Sequence, residues 1–571
     1  MSAVETAVPL VRAAPRSPTP RGWRQRCEDL ASPGGLLLVG ALGFAAIAVT
    51  SGVHDPDFWW HLRTGQLLIA DHFRLLGTAP YTYTTPGHHW TMHEYLFEIG
   101  VAALYAIAKL GAVVVAISLL TWIGIIVLAL RARMRTRNLL AIGTGIIVGT
   151  IAAYPIWGPR DQMIDFTFSA VLLLVIERYL TRGGHVLWFL LPFFLLWSNL
   201  HGGFVIGLVF LAAVTAAEAL GPRLGLASPT PPRRVAWLAL TTVGCALICT
   251  VNPNGPGILL YAWGTVASPA QQALIAEWQS PNFHIEDARG FAVMLIALVT
   301  FIVVNRRLRA RDAVLIAGTV GLSFESVRNI AIFVAVATPV WVEQLSLLLD
   351  RIRSEAAARH ARQGPAARGT APAASAPGSR TPPPRRPRSL RLRLGVVGAV
   401  AALLGAGYAG LRLAPAMAPS PTALSYATTY PVCASVWLRS APHGLRIFNQ
   451  YGEGGYLSWS LAGTGDRIFI FGDAAFMGNR MLYTYSDIVD ARPGWQSLLT
   501  KYGTQVVLFD TGTTLDRLLR ASPRWALVYH DPHNDAFVLR SEEAALHLPP
   551  QPRATGTCAR LVAQGAASGS A

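Results

Sequence analysis

Eleven apolar stretches, at 34–52, 112–130, 138–157, 164–181, 186–200, 203–220, 235–252, 289–305, 312–325, 328–347 and 394–412, dominate this sequence. Each comes near the ~20 residues an α-helix needs to cross ~30 Å of hydrocarbon, where every backbone polar group must be satisfied inside its own helix. The expected fold class is an α-helical polytopic membrane protein of about eleven spans. Composition agrees, since 52% of the 571 residues are apolar and only 14% are charged, too few charges for a soluble globular protein. The run from Gly34 to Gly52 is longer than a signal-peptide core and has no small-residue cleavage site, so it reads as an uncleaved first span.

The formal net charge of +17 does not point to nucleic acid. The arginines sit in short clusters between apolar runs, which is how topology uses them. With the N-terminus inside, Arg131 to Arg137, Arg182, Arg223, Arg233 with Arg234, Arg306 to Arg311 and the Arg-rich stretch 351–393 all fall inside. That agreement requires the segment Glu94 to Lys109 to be an interfacial or re-entrant helix; if it spans, the chain has twelve spans and the basic loops move outside. The expected division is a cytoplasmic tail over 1–33, a bundle over 34–350 with an outer loop at 53–111, a disordered cytoplasmic Pro/Arg/Ala linker over 351–393, a last span at 394–412, an extracytoplasmic α/β domain over 413–548 and a flexible tail over 549–571. The five cysteines show no metal-ligand spacing, and only Cys433 and Cys558 are placed to form a disulfide.

This topology collects the polar chemistry on the outer face. Ionisable groups at the mouth of a helical bundle are expensive unless they line a wet cavity or grip a polar ligand. Asp55-Pro56-Asp57-Phe58-Trp59-Trp60-His61 follows the first span. Its carboxylates suit a general base or metal ligands, and Trp59, Trp60 and His61 suit a substrate wall; Asp55 as N-cap and Pro56 at the first helical position explain the same residues as the start of a helix over 57–70. Glu94 closes a His-rich loop and reads either as a second acid or base or as a solvated helix start. Arg160, Asp161 and Asp165 form a third cluster, with the two acids one helical turn apart or Arg160 simply neutralised by its neighbour. Asn199 and His201 mark a glycine-rich turn, where His201 could donate to an anionic ligand or simply be a satisfied turn residue; Glu277 and Trp278 mark another loop; and Arg328 offers a planar fork for a lipid phosphate, with Arg160 and His201 as the other candidate phosphate contacts, unless Glu325 neutralises Arg328.

The long acidic first loop, the second acidic cluster and the extracytoplasmic C-terminal domain resemble the GT-C superfamily of membrane glycosyltransferases, which includes protein O-mannosyltransferases, the oligosaccharyltransferase catalytic subunit and the aminoarabinose transferase of lipid A. Asp55 to Leu68, Asn199 to Gly203, Glu277 to Pro281 and Asn449 to Trp459 look like a bacterial branch of such proteins. The resemblance implies a GT-C-like bundle in the bacterial inner membrane. It implies inverting transfer of a sugar from a polyprenyl-phosphate donor to a glycan, lipid or protein acceptor outside. The first-loop acid of that family carries over to Asp57 as base or metal ligand, with Asp55 beside it, for a divalent cation such as Mg or Mn. Asp161 and Asp165 are spaced more widely than the family's second acid pair, and the arginine expected after Gly472 is Asp473. A lipid or oligosaccharide transporter and a non-catalytic assembly protein are the rival classes; the first is disfavoured by the one-sided polar chemistry and the lack of inverted repeats.

Overall fold

The computed structural model describes residues 31–224, 230–362, 405, 407–411, 414, 429–550 and 558. The α-helices of its first part are, in chain order, α1 (Pro33–Ala48), α2 (Phe58–Ala70), α3 (Tyr95–Arg135), α4 (Leu139–Ala152), α5 (Gln162–Arg182), α6 (Leu190–Leu200), α7 (Phe204–Leu220), α8 (Pro232–Ile248), α9 (Gly257–Val266), α10 (Pro269–Leu274), α11 (Arg289–Asn305), α12 (Ala310–Glu325) and α13 (Ile330–Arg362). All but α2, α9 and α10 fall on the apolar stretches of the sequence. Among the described residues only two helices, Tyr95–Arg135 and Val327–His360, are long and apolar enough to cross a membrane unaided. The expected span at 394–412, the tail over 1–33 and the tail over 549–571 lie mostly outside the described residues. Helix α13 runs on to Arg362 through the Glu355 to Ala358 run, so the first part of the expected linker is helical, as its good helix formers favour; the rest of that linker lies outside the described residues.

Local chemistry sets the helix boundaries. Ser32 accepts from the Gly35 amide at 3.1 Å with Pro33 at the first helical position of α1, and Asn138 caps α4 through the Ala141 amide. Helix α3 is two helices joined at a break: Ala108 and Lys109 leave helical geometry, Lys109 at φ +55° and ψ −146°. A short helix, Tyr95 to Ile107, therefore precedes the long one. Helix α13 packs against α3, α4, α5, α11 and α12, while α1 packs on α4 and α7 on α8 and α12. Pro339 of α13 has no amide hydrogen for the Ala335 carbonyl, and Arg131 Nη1 donates to that oxygen at 3.2 Å. Arg131 and Arg135 meet Glu177, Asp312 and Glu343 at this end of the bundle, opposite the acidic loops.

The C-terminal domain contains α14 (Val432–Arg439), β1 (Arg446–Asn449), α15 (Gly454–Ser460), β2 (Arg467–Ile468), α16 (Ala474–Val489), α17 (Trp495–Lys501), β3 (Val506–Asp510), α18 (Thr514–Ala521), β4 (Trp525–His530) and β5 (Asn534–Leu539). Its sheet runs β2-β1-β3-β5-β4, parallel from β2 to β3 and antiparallel from β3 to β4. Cys433 and Cys558 are joined by a disulfide. The loop between α2 and α3 extends the sheet at its β2 edge, with the Ile468 amide donating to the Tyr81 carbonyl at 2.8 Å and the Tyr83 amide to the Ile468 carbonyl at 3.3 Å.

Candidate active site

Four chain segments supply acids to one end of the bundle, the start of α2, the start of α3, the turn before α5 with the first turn of α5, and the turn at Glu277, and the α6–α7 turn adds His201. Antiparallel helices alternate direction, so these turns share one face although they span more than two hundred positions of sequence.

The first loop begins as the cap chemistry of Asp55 requires. Asp55 Oδ1 accepts from the Asp57 amide at 2.9 Å, and helix α2 starts at Phe58. The other Asp55 oxygen lies 2.8 Å from Arg160 Nε, and Arg160 Nη2 donates to both oxygens of Glu277 at 2.6 and 2.7 Å. Arg160 is thus paired with Asp55 and Glu277 rather than with Asp161. Asp57 Oδ1 accepts from Trp60 Nε1 at 3.2 Å and faces the backbone of Gly472. Any side chain at residue 472 would overlap that carboxylate, so glycine there is a condition for seating Asp57. Burial, then the neighbouring Asp55 charge, raises the Asp57 carboxyl to about 7.

Deeper in the cleft, His61 Nε2 lies 3.4 Å from Glu94 Oε2, and His61 Nδ1 lies 3.6 Å from Glu98. His201 Nε2 is 2.8 Å from Asp161 and 3.4 Å from Glu94, and its Nδ1 is 2.6 Å from Asp165, which also accepts from Trp197 Nε1 at 2.8 Å. His93 closes on Glu94 at 2.5 Å. Burial opposes the imidazolium of His61, but its bond to Glu98 and the charges of Glu94 and Asp161 outweigh it and raise the group to about 10. Burial likewise pushes Asp161 up, and His201 overrides it, so the net shift is downward. The acids thus differ in state: Asp161 stays ionised, while Asp57 is poised to exchange a proton near neutral pH.

His61, Glu94 and Asp161, all buried, each offer a ligand atom within 4.8 Å of the others. Buried Glu94 Oε2 has no hydrogen-bond partner among the described residues, and an orphan atom of this kind is a place that a water or an ion would fill. Two carboxylate oxygens and an imidazole nitrogen suit Mn better than Mg, which prefers oxygen alone. Asp55 and Asp57, the ligands suggested by sequence, stand outside this group.

The remaining sequence candidates separate into three environments. Trp59 is fully buried against Tyr430, Tyr456 and Trp459 of the C-terminal domain, and Trp60 packs on Phe471 and Trp90. Both indoles form the seam between the two domains, which is the part played by the Asn449 to Trp459 stretch: Gly455 approaches the Pro56 carbonyl too closely for a side chain. Asn199 accepts from Tyr95 Oη at 2.8 Å and from Asn252 at 3.1 Å, beside the site. Arg328 stacks on Trp278 at 5.0 Å and makes no salt bridge among the described residues. Glu325 meets Gln272 instead.

Sequence reasoning gave no site role to Glu98, His93 or Asp473. Glu98 follows Glu94 by one helical turn, a visible signal; His93 was visible as part of the His-rich loop, and Asp473 as the residue standing where an arginine was expected. Asp473 accepts from Trp90 Nε1 at 2.7 Å and caps α16 through the Phe476 amide.

No family model matches the chain, and no curated protein matches it in sequence. Solved structures do. The archaeal oligosaccharyltransferase from Archaeoglobus fulgidus, determined with an inhibitory peptide and a dolichol-phosphate, matches at a TM-score of 0.55 and 12% identity over 86% of this chain and 70% of its own. The same enzyme tethered to an acceptor peptide matches at 0.51 and 14% identity over the same shares. ArnT from Cupriavidus metallidurans in the apo state covers 90% of this chain and 97% of its own at 13% identity, with a TM-score of 0.45. The chain has the oligosaccharyltransferase fold, a GT-C fold.

Proposed function

We propose that this chain, folded as a GT-C protein, is a membrane glycosyltransferase that moves a sugar from a polyprenyl-phosphate donor to an acceptor on the outer face, with inversion. The observation that carries this reading is the convergence of His61, Glu94 and Asp161 beside the partly buried Asp57 at one end of the helical bundle. Perturbed carboxylates in a shared cleft are the signature of acid–base chemistry.

In the proposed reaction an acceptor hydroxyl oxygen attacks the anomeric carbon. The bond from that carbon to the phosphate oxygen breaks, the polyprenyl phosphate leaves with the electron pair, and the acceptor proton passes to Asp57. A base with its pKa near the working pH is effective in this role. Arg328 is the phosphate clamp in this reading: its guanidinium lies over the Trp278 ring and makes no salt bridge among the described residues. Arg160 and His201 hold Asp55, Glu277, Asp161 and Asp165 in place, and stand behind the phosphate site as positioning residues. A divalent cation held by His61, Glu94 and Asp161 would supply charge neutralisation at the departing phosphate. The same reading places the chain in the bacterial inner membrane with about eleven spans, N-terminus inside and C-terminal domain outside.

The test is a deletion strain analysed by mass spectrometry for lipid-linked sugars and surface glycans. The expected result is accumulation of a polyprenyl-linked sugar and loss of one glycan, restored by the wild-type chain but not by Asp57→Asn. Full restoration by Asp57→Asn overturns the assignment of the base.

A further inference from the structure

The proposed chemistry gives Glu98 no task, yet Glu98 is only 2% exposed, and a buried carboxylate is costly unless it is paired. Its one ion-pair partner among the described residues is His61, whose Nδ1 lies 3.6 Å from Glu98 Oε1. The other ring nitrogen, Nε2, faces Glu94 at 3.4 Å. Glu94 belongs with His61 and Asp161 to the group whose ligand atoms lie within 4.8 Å of one another, and Glu98 does not. Glu94 and Glu98 are one helical turn apart on α3, so the imidazole of His61 is held between two acids of one helix face.

Packing fixes this placement. The His61 ring has the Trp60 indole 3.6 Å away, centroid to centroid, and Phe97 edge-on at 5.4 Å. Gly65, one turn beyond His61 on α2, lets the two helices close, because a Cβ there would overlap the Glu98 carbonyl and meet Ala102. The cleft repeats the arrangement on a second histidine. His201 has Asp161 at 2.8 Å from Nε2 and Asp165 at 2.6 Å from Nδ1, the two acids again one turn apart, and Gly203 leaves no room for a Cβ beside Asp165. In each case an inner acid faces Nε2 and an outer acid faces Nδ1.

A neutral imidazole carries its proton on one nitrogen or the other, and only the bare nitrogen binds a metal ion. We propose that Glu98 is a positioning residue that keeps the proton of His61 on Nδ1 and so turns the Nε2 lone pair toward a divalent cation shared with Glu94 and Asp161. Glu98 acts through the ring and touches neither the ion nor the substrate. The inference rests on the ion site of the proposed function and names the residue that orients its nitrogen ligand. A carboxylate behind a metal-bound histidine typically contributes about 10- to 100-fold in metal affinity.

The experiment uses the full chain in phosphatidylcholine nanodiscs, stripped with a chelator and titrated with Mn²⁺ alone. Affinity is read by calorimetry, and the bound ion by its electron spin-echo nitrogen modulation, which reports a directly coordinated imidazole. Glu98→Gln, close to isosteric, is expected to weaken Mn²⁺ binding about 10- to 100-fold and to diminish the nitrogen modulation, while the metal-free melting curve shows it folded. Glu98→Met is the second variant, used if that curve shows Glu98→Gln to be misfolded. Wild-type affinity and modulation in the folded variant overturn the proposal. Weaker binding with the modulation unchanged overturns it too, because Glu98 would then act by charge or as a ligand rather than by orienting the ring. His61→Ala is the reference and is expected to lose the modulation. In these outcomes the ion site itself stands; Mn²⁺ binding by His61→Ala as tight as the wild type's, or none by the wild type, removes that site from the proposed function and the role of Glu98 with it.

Discussion

Asp57 carries two consequences of being partly buried beside another acid. Its carboxyl is raised from the ordinary 3.8 to about 7, so the folded state holds this proton more tightly than the unfolded chain does. The group therefore loses stability for the fold as pH rises from about 4 to about 7. Asp57→Asn is expected to lower kcat by ~10²–10⁴ while leaving thermal stability at pH 8 equal or higher, measured on one preparation. In the wild type, kcat/KM is expected to rise with pH through about 7. His61 has the opposite sign: raised to about 10, its contribution is complete below about 6.5 and is lost as pH climbs toward 10. A cation on its nitrogen must displace that proton, so Mn²⁺ is expected to raise the melting temperature more at pH 8 than at pH 6, and His61→Ala to abolish the rise. An equal rise in that variant would remove His61 from the ligand set. The acids and His61 were legible in the sequence because charge beside apolar runs is conspicuous; their partners were not, since Asp55 meets Arg160 and Glu277 only through the bundle's packing.

At the scale of elements, the α2 boundary was readable to within a residue from Asp55-Pro56-Asp57, because capping is local chemistry. The short helix before Lys109 was readable from its charges, but the break was not. Lys109 sits at φ +55° and ψ −146°, where glycine is at ease and a Cβ is strained by ~1–3 kcal/mol. In an ordinary helix Gly is less stable than Ala by ~1 kcal/mol. Here the order is expected to invert, with Lys109→Gly more stable than Lys109→Ala in denaturant titrations; the ordinary order would show that the joint is regular helix. Trp59 and Trp60 read as a sugar platform because an aromatic pair after an acid looks the same whether it meets a ligand or a protein. Their partners Tyr456, Trp459 and Phe471 lie some four hundred residues away, a distance no local pattern spans.

For the whole molecule, the disulfide adds an independent bearing on topology. Disulfides persist in oxidising compartments, and the Cys433–Cys558 bond fits the outer placement expected for the C-terminal domain. A membrane-impermeant maleimide is expected to label Glu286→Cys from outside and not Arg306→Cys, two positions at opposite ends of α11; the reverse pattern would invert the chain. Cys558→Ser releases a crosslink spanning 125 residues and is expected to destabilise the C-terminal domain by ~3–5 kcal/mol, read by urea unfolding. The bundle was legible as a set of greasy runs and the C-terminal sheet as alternating strands, yet their junction, where strand β2 accepts the first loop at its edge, lay beyond any pattern in either half.

That junction gives the protein an interlock. Synthesis delivers the His61, Glu94 and Asp161 constellation early, but the glycine that seats Asp57 and the aromatic residues that brace Trp60 arrive near the end. A nascent or truncated chain would hold the His61, Glu94 and Asp161 group without the seat of Asp57. If the proposed sugar transfer is right, the site would then be complete only once the C-terminal domain has folded back against the first loop.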